Sequence, residues 1–183
     1  STKPFLFKKE YDQELPFSDC DGLGLYVHIP FCRSICSFCP YCKTLYSEEA
    51  CSRYIDALIR EIHLAGSQIP GKKIVTSLYF GGGTPALAAD RIKEIIDAIQ
   101  EHFIITQGIG IELHPENITP RTLHILKEAG ITKLSIGIQS FQEKFQKLLG
   151  RTGADMDSLK AALSQVPFET VSMDFIFALP SQT

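Results

Sequence analysis

Four of the six cysteines in this 183-residue sequence, Cys32, Cys36, Cys39 and Cys42, fall within the single segment FCRSICSFCPYC. Thiolates are soft ligands for iron or zinc, so a tight cluster points to metal rather than to a framework of spread-out disulfides. The C-x3-C-x2-C spacing of Cys32, Cys36 and Cys39 favours an iron–sulfur cluster. Three thiolates on a cubane leave one iron without a protein ligand, and an open iron is a place for chemistry. A structural zinc site usually joins two separated Cys/His pairs and fills all four positions, which four cysteines in one loop fit poorly. Zinc held with Cys42 or a histidine, or a redox pair, is the alternative. Cys20 and Cys51 show no partner pattern.

A second candidate is GGGTP, Gly81 to Pro85, between a β-rich run and a helical pattern. Backbone amides can approach a ligand closely at such a place. It is no phosphate loop, because Lys-Ser/Thr does not follow, and it lacks the spacing of a dinucleotide fingerprint. Taken alone, a tight strand-to-helix turn explains it. His63, His102 and His124 lie in helical segments and read as surface or core residues rather than ligands.

The elements that must position these groups alternate along the chain. β-rich runs occupy 24–30, 76–82, 108–115, 133–140 and 171–180. Between the first two, Ser47 is the expected N-cap of a helix bearing Tyr54, Ile55, Leu58, Ile59 and Ile62, with Gly66 as its stop. Ile92, Ile95, Ile96, Ile99 and Phe103 recur at helical spacing in the next gap. Thr119-Pro120 opens a third helix that Gly130 closes, Ser140 and Glu143 fit a capping box ended by Gly150, and a short helix is expected at 155–164. This succession implies right-handed crossovers and a parallel sheet covered by helices, either open and doubly wound or part of a (β/α) barrel. Five units cannot close a barrel of roughly 250 residues. The chain is therefore expected to be the first part of a longer protein.

Residue parity sorts the strand side chains. Leu25, Val27 and Ile29 oppose Gly24, Tyr26 and His28; Ile109, Ile111 and Leu113 oppose Gly110, Glu112 and His114. Leu134, Ile136 and Ile138 oppose Ser135, Gly137 and Gln139, while Val171, Met173, Phe175 and Phe177 oppose Ser172, Asp174, Ile176 and Ala178. The greasy face should pack under helices, leaving the small and polar face to line the inside of a curved sheet. Buried carboxylates there are costly without a partner, so Glu112 and Asp174 call for a polar ligand. An antiparallel sheet with a solvated polar face is the alternative, disfavoured by the helical segments between strands.

A net charge of −3, with 44% hydrophobic and 21% charged residues, is the balance of a globular chain and argues against nucleic-acid binding by bulk charge. No apolar run approaches the roughly 20 residues of a membrane span, and the polar start does not resemble a signal peptide. A cytoplasmic protein with no nucleic-acid or membrane partner is expected.

The motifs together resemble the radical S-adenosylmethionine (SAM) superfamily, and within it the oxygen-independent coproporphyrinogen III oxidase-like family. YVHIPFC with its cysteine spacing, YFGGGTP, GIQSF, LGR and DFIFALPSQT stand in the family's order over residues 24–183. The resemblance implies an α/β fold: the amino-terminal fragment, about five parallel strands, of a partial (β/α) barrel. Residues 1–23 are then a lead segment and 24–183 a radical SAM core, incomplete at its C-terminus. It further implies that Cys32, Cys36 and Cys39 ligate a 4Fe-4S cluster whose fourth iron is chelated by SAM. Tyr26, Phe38, Gly82, Gly83 and Thr84 would lie near SAM, and Glu112, Gln139, Arg151 and Asp174 match the family's polar SAM-contacting positions. The implied activity is that of an oxidoreductase of heme biosynthesis. It cleaves SAM reductively, forms a 5′-deoxyadenosyl radical and acts on a tetrapyrrole, with a one-electron donor such as flavodoxin or ferredoxin. Heme-chaperone relatives share the fold, so heme trafficking is the alternative. Cys42 stands three positions after Cys39, where the oxidases proper carry a cysteine two positions on. An unpaired edge on the last strand is expected to favour self-association.

Overall fold

The computed structural model describes residues 20–151 and 155–182, so the expected lead segment 1–23 lies outside them except for its last residues. In chain order the elements are β1 (Gly22–Ile29), β2 (Phe31–Cys32), β3 (Thr44–Leu45), α1 (Glu48–Ser67), β4 (Lys73–Gly82), α2 (Ala89–His102) and β5 (Phe103–Ile105). They continue with β6 (Ile109–Leu113), α3 (Pro120–Glu128), β7 (Ile131–Gln139), α4 (Glu143–Leu148), α5 (Met156–Gln165) and β8 (Thr170–Phe175).

The long strands lie side by side in the order β1-β4-β6-β7-β8, all parallel, and β5 extends the sheet beside the start of β4. Spatial order equals chain order, so every crossover steps the same way. With right-handed crossovers this puts the helices on one face, as in a barrel, whereas a doubly wound sheet reverses direction part-way. Helices α1 on α2, α2 on α3 and α3 on α5 form the covering layer.

The apolar face is buried beneath that layer: Val27, Ile29, Phe80, Ile111, Leu113, Leu134, Ile136 and Ile138 sit in one continuous core with Ile55, Ile92, Ile95 and Leu123 from the helices. Two irregularities keep the alternation in phase. Thr76 is an extra residue opposite the Leu23–Gly24 step, and Thr132 is extra opposite Ile109–Gly110. These bulges return Leu78 and Phe80, and Leu134 and Ile136, to the buried face after Val75 and Ile131.

The structure corrects several local expectations. Gly66 does not stop α1 but lies buried within it, and Gln68 is the cap. Phe103 belongs to β5 rather than to the second helix. The Ser140–Glu143 capping box does not form; Ser140 Oγ accepts from the Gln142 amide at 3.2 Å, and Gln142 is the N-cap of α4. On β8, of the expected apolar face only Met173 is partly buried. Val171 and Phe175 are exposed, Phe177 is 87% exposed beyond the strand, and among the described residues no helix covers them. No helix among the described residues is long and apolar enough to cross a membrane.

Candidate active site

The site is built at the ends where the parallel strands finish. Chain leaving β1 passes through Pro30 into β2, makes the cysteine loop, and returns as β3 parallel to β2. The neck is fastened by Thr44 N–H to the Pro30 carbonyl at 2.8 Å and Tyr46 N–H to the Cys32 carbonyl at 2.9 Å. Lys43 Nζ donates to the Cys39 carbonyl. His28 Nε2 lies 2.9 Å from the Cys42 carbonyl, which can only accept, so Nε2 carries the proton. Nδ1 is then the acceptor for the Tyr26 hydroxyl at 3.2 Å.

GGGTP clamps the same neck. Gly83 N–H reaches the Ile29 carbonyl at 2.9 Å and Thr84 N–H the Phe31 carbonyl at 2.7 Å. A Cβ on Gly83 would lie 2.6 Å from the Phe31 carbonyl oxygen, and one on Gly82, at φ +118°, 2.8 Å from the His28 ring. These glycines are therefore required by close approach within the chain itself. The Thr84 hydroxyl points at Cys32 Sγ, 3.8 Å away. Burial pushes the Cys32 thiol up, against the pull of this contact.

A cavity of about 380 Å³ lies between this loop and the strand ends, within the range of small-ligand sites. Cys32, Cys36 and Cys39 line it; Cys42 does not. Across from them stand Glu112, Ser135, Gly137, Gln139 and Asp174. Glu112 Oε2 accepts from the Gly82 amide at 3.2 Å, and Ser135 Oγ donates to Asp174 Oδ2 at 2.7 Å. Burial is the main reason the Glu112 carboxyl is held above the usual range; Asp174 adds to it, and the Gly82 amide and His28 oppose it. Burial, aided by Arg151, lowers His114 to about 4.

Arg151 bridges the two walls. Its Nη1 donates to the Gly137 carbonyl of β7, and its guanidinium lies 5.6 Å from the Phe38 ring of the cysteine loop. Its Nε is buried with no hydrogen-bond partner among the described residues.

This cavity with its three thiols lies in a chain with a direct match among known families: the Radical SAM superfamily matches residues 26–183. The chain belongs to that superfamily. Among its relatives, the anaerobilin synthase of Escherichia coli O157:H7 is 37% identical, with 86% of this chain and 37% of the relative covered. The heme chaperone HemW of Bacillus subtilis (strain 168) is 30% identical, with 86% and 43% covered. The solved structure of coproporphyrinogen III oxidase (HemN) from Escherichia coli, described as a radical SAM enzyme, matches with a TM-score of 0.80 and 33% identity. It covers 89% of this chain and 39% of that one. The chain thus spans 37 to 43% of the length of the first curated relatives it matches.

Within this radical SAM chain, the expected site residues Phe38, Gly82, Gly83, Thr84, Glu112, Gln139, Arg151 and Asp174 line the cavity with the three cysteines. Tyr26 does not. It is 57% exposed, and its ring packs over Gly81, where a Cβ would meet it at 2.8 Å. Ser135 and His114 join the wall as their parity foretold. Ile176 joins it too, on the face that parity gave it beside Asp174, whereas Lys43, Glu116 and Asn117 were not foreseen. Lys43 lies in the loop before β3, and Glu116 and Asn117 in a three-residue 3-10 turn (Pro115–Asn117), too short for periodicity to mark which way a side chain faces.

Proposed function

We propose that this chain is the cofactor-binding core of a radical SAM oxidoreductase acting on a tetrapyrrole. The observation that carries the reading is the division of the four loop cysteines. Cys32, Cys36 and Cys39 face the cavity shared with Glu112, Gln139, Arg151 and Asp174, and Cys42 stands outside it. That is the donor set of a cluster with one open iron rather than of a closed four-ligand zinc site.

The residues fit both groups the superfamily implies, a 4Fe-4S cluster and SAM. Three thiolates suit the cluster, and Arg151 Nε, a donor without a partner among the described residues, is matched to an oxygen acceptor such as the methionyl carboxylate. Held by Cys32, Cys36 and Cys39, the cluster would supply one-electron reduction of SAM, and SAM the means of abstracting a hydrogen atom from substrate. The protein's part is placement. Lys43 and His28 hold the cysteine loop by its carbonyls. The Gly82 amide and the Ser135 hydroxyl fix the directions of Glu112 and Asp174, two acceptors for the hydroxyl or ammonium groups of a cationic ligand. Gln139, at φ +67°, terminates β7 with its side chain over Gly137, where a Cβ would lie 2.7 Å from its Nε2. That glycine therefore makes room for the amide.

The substrate class rests on the relatives, whose names concern coproporphyrinogen, anaerobilin and heme. Oxidative decarboxylation of coproporphyrinogen III is the reaction we assign, with flavodoxin or ferredoxin as the class of electron donor. Heme trafficking is the second reading, favoured by the likeness to the Bacillus subtilis chaperone. Anaerobic reconstitution of the full-length protein, followed by assays for 5′-deoxyadenosine and for decarboxylated porphyrinogen, tests the assignment. SAM cleavage with no product but tight heme binding supports trafficking; a cluster that forms and never cleaves SAM refutes the enzyme.

A further inference from the structure

We propose a divalent-cation site, suited to Zn²⁺, formed by His63, Glu101 and His102 where α1 and α2 end together. It is independent of the SAM cavity, which none of the three residues lines. His63 Nδ1 lies 3.0 Å from His102 Nε2 and 3.6 Å from Glu101 Oε2, and one donor atom from each residue lies within 4.8 Å of the other two. In a tetrahedral site, two imidazole nitrogens about 2.0–2.1 Å from zinc stand roughly 3.3–3.4 Å apart. The pair in the protein is within about 0.4 Å of that separation, so a small opening and tilt of the two rings lets an ion replace the proton that they share.

The surroundings favour a cation. Both helices return antiparallel to the strands, so their C-termini meet at the end of the sheet where strands begin, away from the cavity. The partial negative charge of a helix C-terminus stabilises positive charge. The last turn of α1 contains no basic residue; that of α2 contains only His102 itself. Lys72 Nζ meets one terminal carbonyl of α2, that of Gln100, at 2.7 Å, outside the triad. His63 and Glu101 are open to solvent, with 41% and 65% side-chain exposure, which gives an ion a way in.

Gly66 explains how the cluster is held. It sits three residues after His63 in the last turn of α1, where Gln68 and not the glycine is the cap. A Cβ there would lie 2.2 Å from His102 Cγ. The glycine lets the His102 ring lie against α1, edge-on to His63 with centroids 5.3 Å apart. Two histidines and a carboxylate leave at least one coordination position for water. At the end of the sheet remote from the cavity, such an ion acts as a strut joining α1 to α2.

The test is an anaerobic Zn²⁺ titration of the cluster-loaded full-length protein, in which the three loop thiolates are occupied. One added equivalent is expected. Binding should weaken roughly tenfold or more in His63→Gln and in His102→Gln, and stay unchanged in His124→Gln, whose ring caps Pro120 on α3. X-ray absorption at the zinc edge of the unaltered protein, expected to show only nitrogen and oxygen ligands, keeps the proposal testable if a variant misfolds. No zinc uptake, equal affinity in the His63→Gln protein, or sulfur in the zinc shell each overturns it.

Discussion

Replacing Gly83 by alanine tests whether GGGTP is a clamp on the cysteine loop. The new Cβ would meet the Phe31 carbonyl oxygen at 2.6 Å, the Pro30 carbonyl carbon at 2.7 Å and the Phe31 carbonyl carbon at 2.8 Å. All three are backbone atoms, so no flexible side chain can swing aside. If the loop stays in place, overpacking costs about 1–3 kcal/mol. If it withdraws, the bonds from Gly83 N–H to Ile29 and from Thr84 N–H to Phe31 are lost. At about 0.5–1.5 kcal/mol net for each, that also costs about 1–3 kcal/mol. Both routes give roughly 2 kcal/mol, or a melting midpoint lowered by about 4–8 °C for a chain of this size. Gly24→Ala is the control: a Cβ there meets nothing within 4 Å, and the change should stay within about 0.5 kcal/mol. Urea unfolding compares the two, and iron and sulfide analysis after anaerobic reconstitution reads the loop. Gly83→Ala should also lose cluster, because the displaced backbone leads directly into Cys32. A Gly83→Ala protein as stable as Gly24→Ala and fully loaded with iron would refute the clamp.

Glu112→Gln keeps an acceptor for the Gly82 amide but removes the charge. Its fold should change by about 1 kcal/mol or less, while SAM affinity measured by equilibrium binding falls roughly 10- to 100-fold, the worth of one charge-assisted contact; unaltered affinity would remove Glu112 from the SAM site. Because burial raises the Glu112 pKa in the folded state, the stability this group contributes is present at acid pH and lost as pH rises through the folded value; the glutamine variant should lack that slope. His114 has the opposite sign. Its pKa is lowered from 6.5 to about 4, so its contribution is present above 6.5 and is lost as pH falls through 4. His114→Asn can still cap the Glu116 amide, and should flatten urea midpoints across that window; an unchanged pH profile would show that His114 does not cause the slope. Finally, among the described residues β8 pairs only with β7 and leaves Val171 and Phe175 exposed, so the 183-residue chain should associate with rising concentration in sedimentation experiments. A monomer across the whole series would contradict this.

The parts of this protein written locally in the sequence are those governed by short repeats. Strand parity placed Glu112, Ser135, Gly137, Gln139 and Asp174 on one face, and all five line the cavity. Ser47, the Thr119-Pro120 pair, Gly130 and Gly150 marked helix ends because capping depends on neighbours a few residues away. Where two strands must agree, the pattern failed to speak. The bulges at Thr76 and Thr132 are properties of a pair, invisible in either strand alone. Gly66 looked like a stop because its reason, the His102 ring, lies on another helix.

The same distinction divides the site. Spacing singled out Cys32, Cys36 and Cys39 from Cys42, but it takes the folded loop, tied by His28 and Lys43, to bring those three to a cavity shared with Glu112 and Asp174. It likewise takes the closed fold to lay Arg151 against Phe38 and to set His63 beside His102, residues 39 apart in sequence. A side chain's face follows from the geometry of its own element, whereas its partner depends on how distant elements pack, and no local periodicity encodes that.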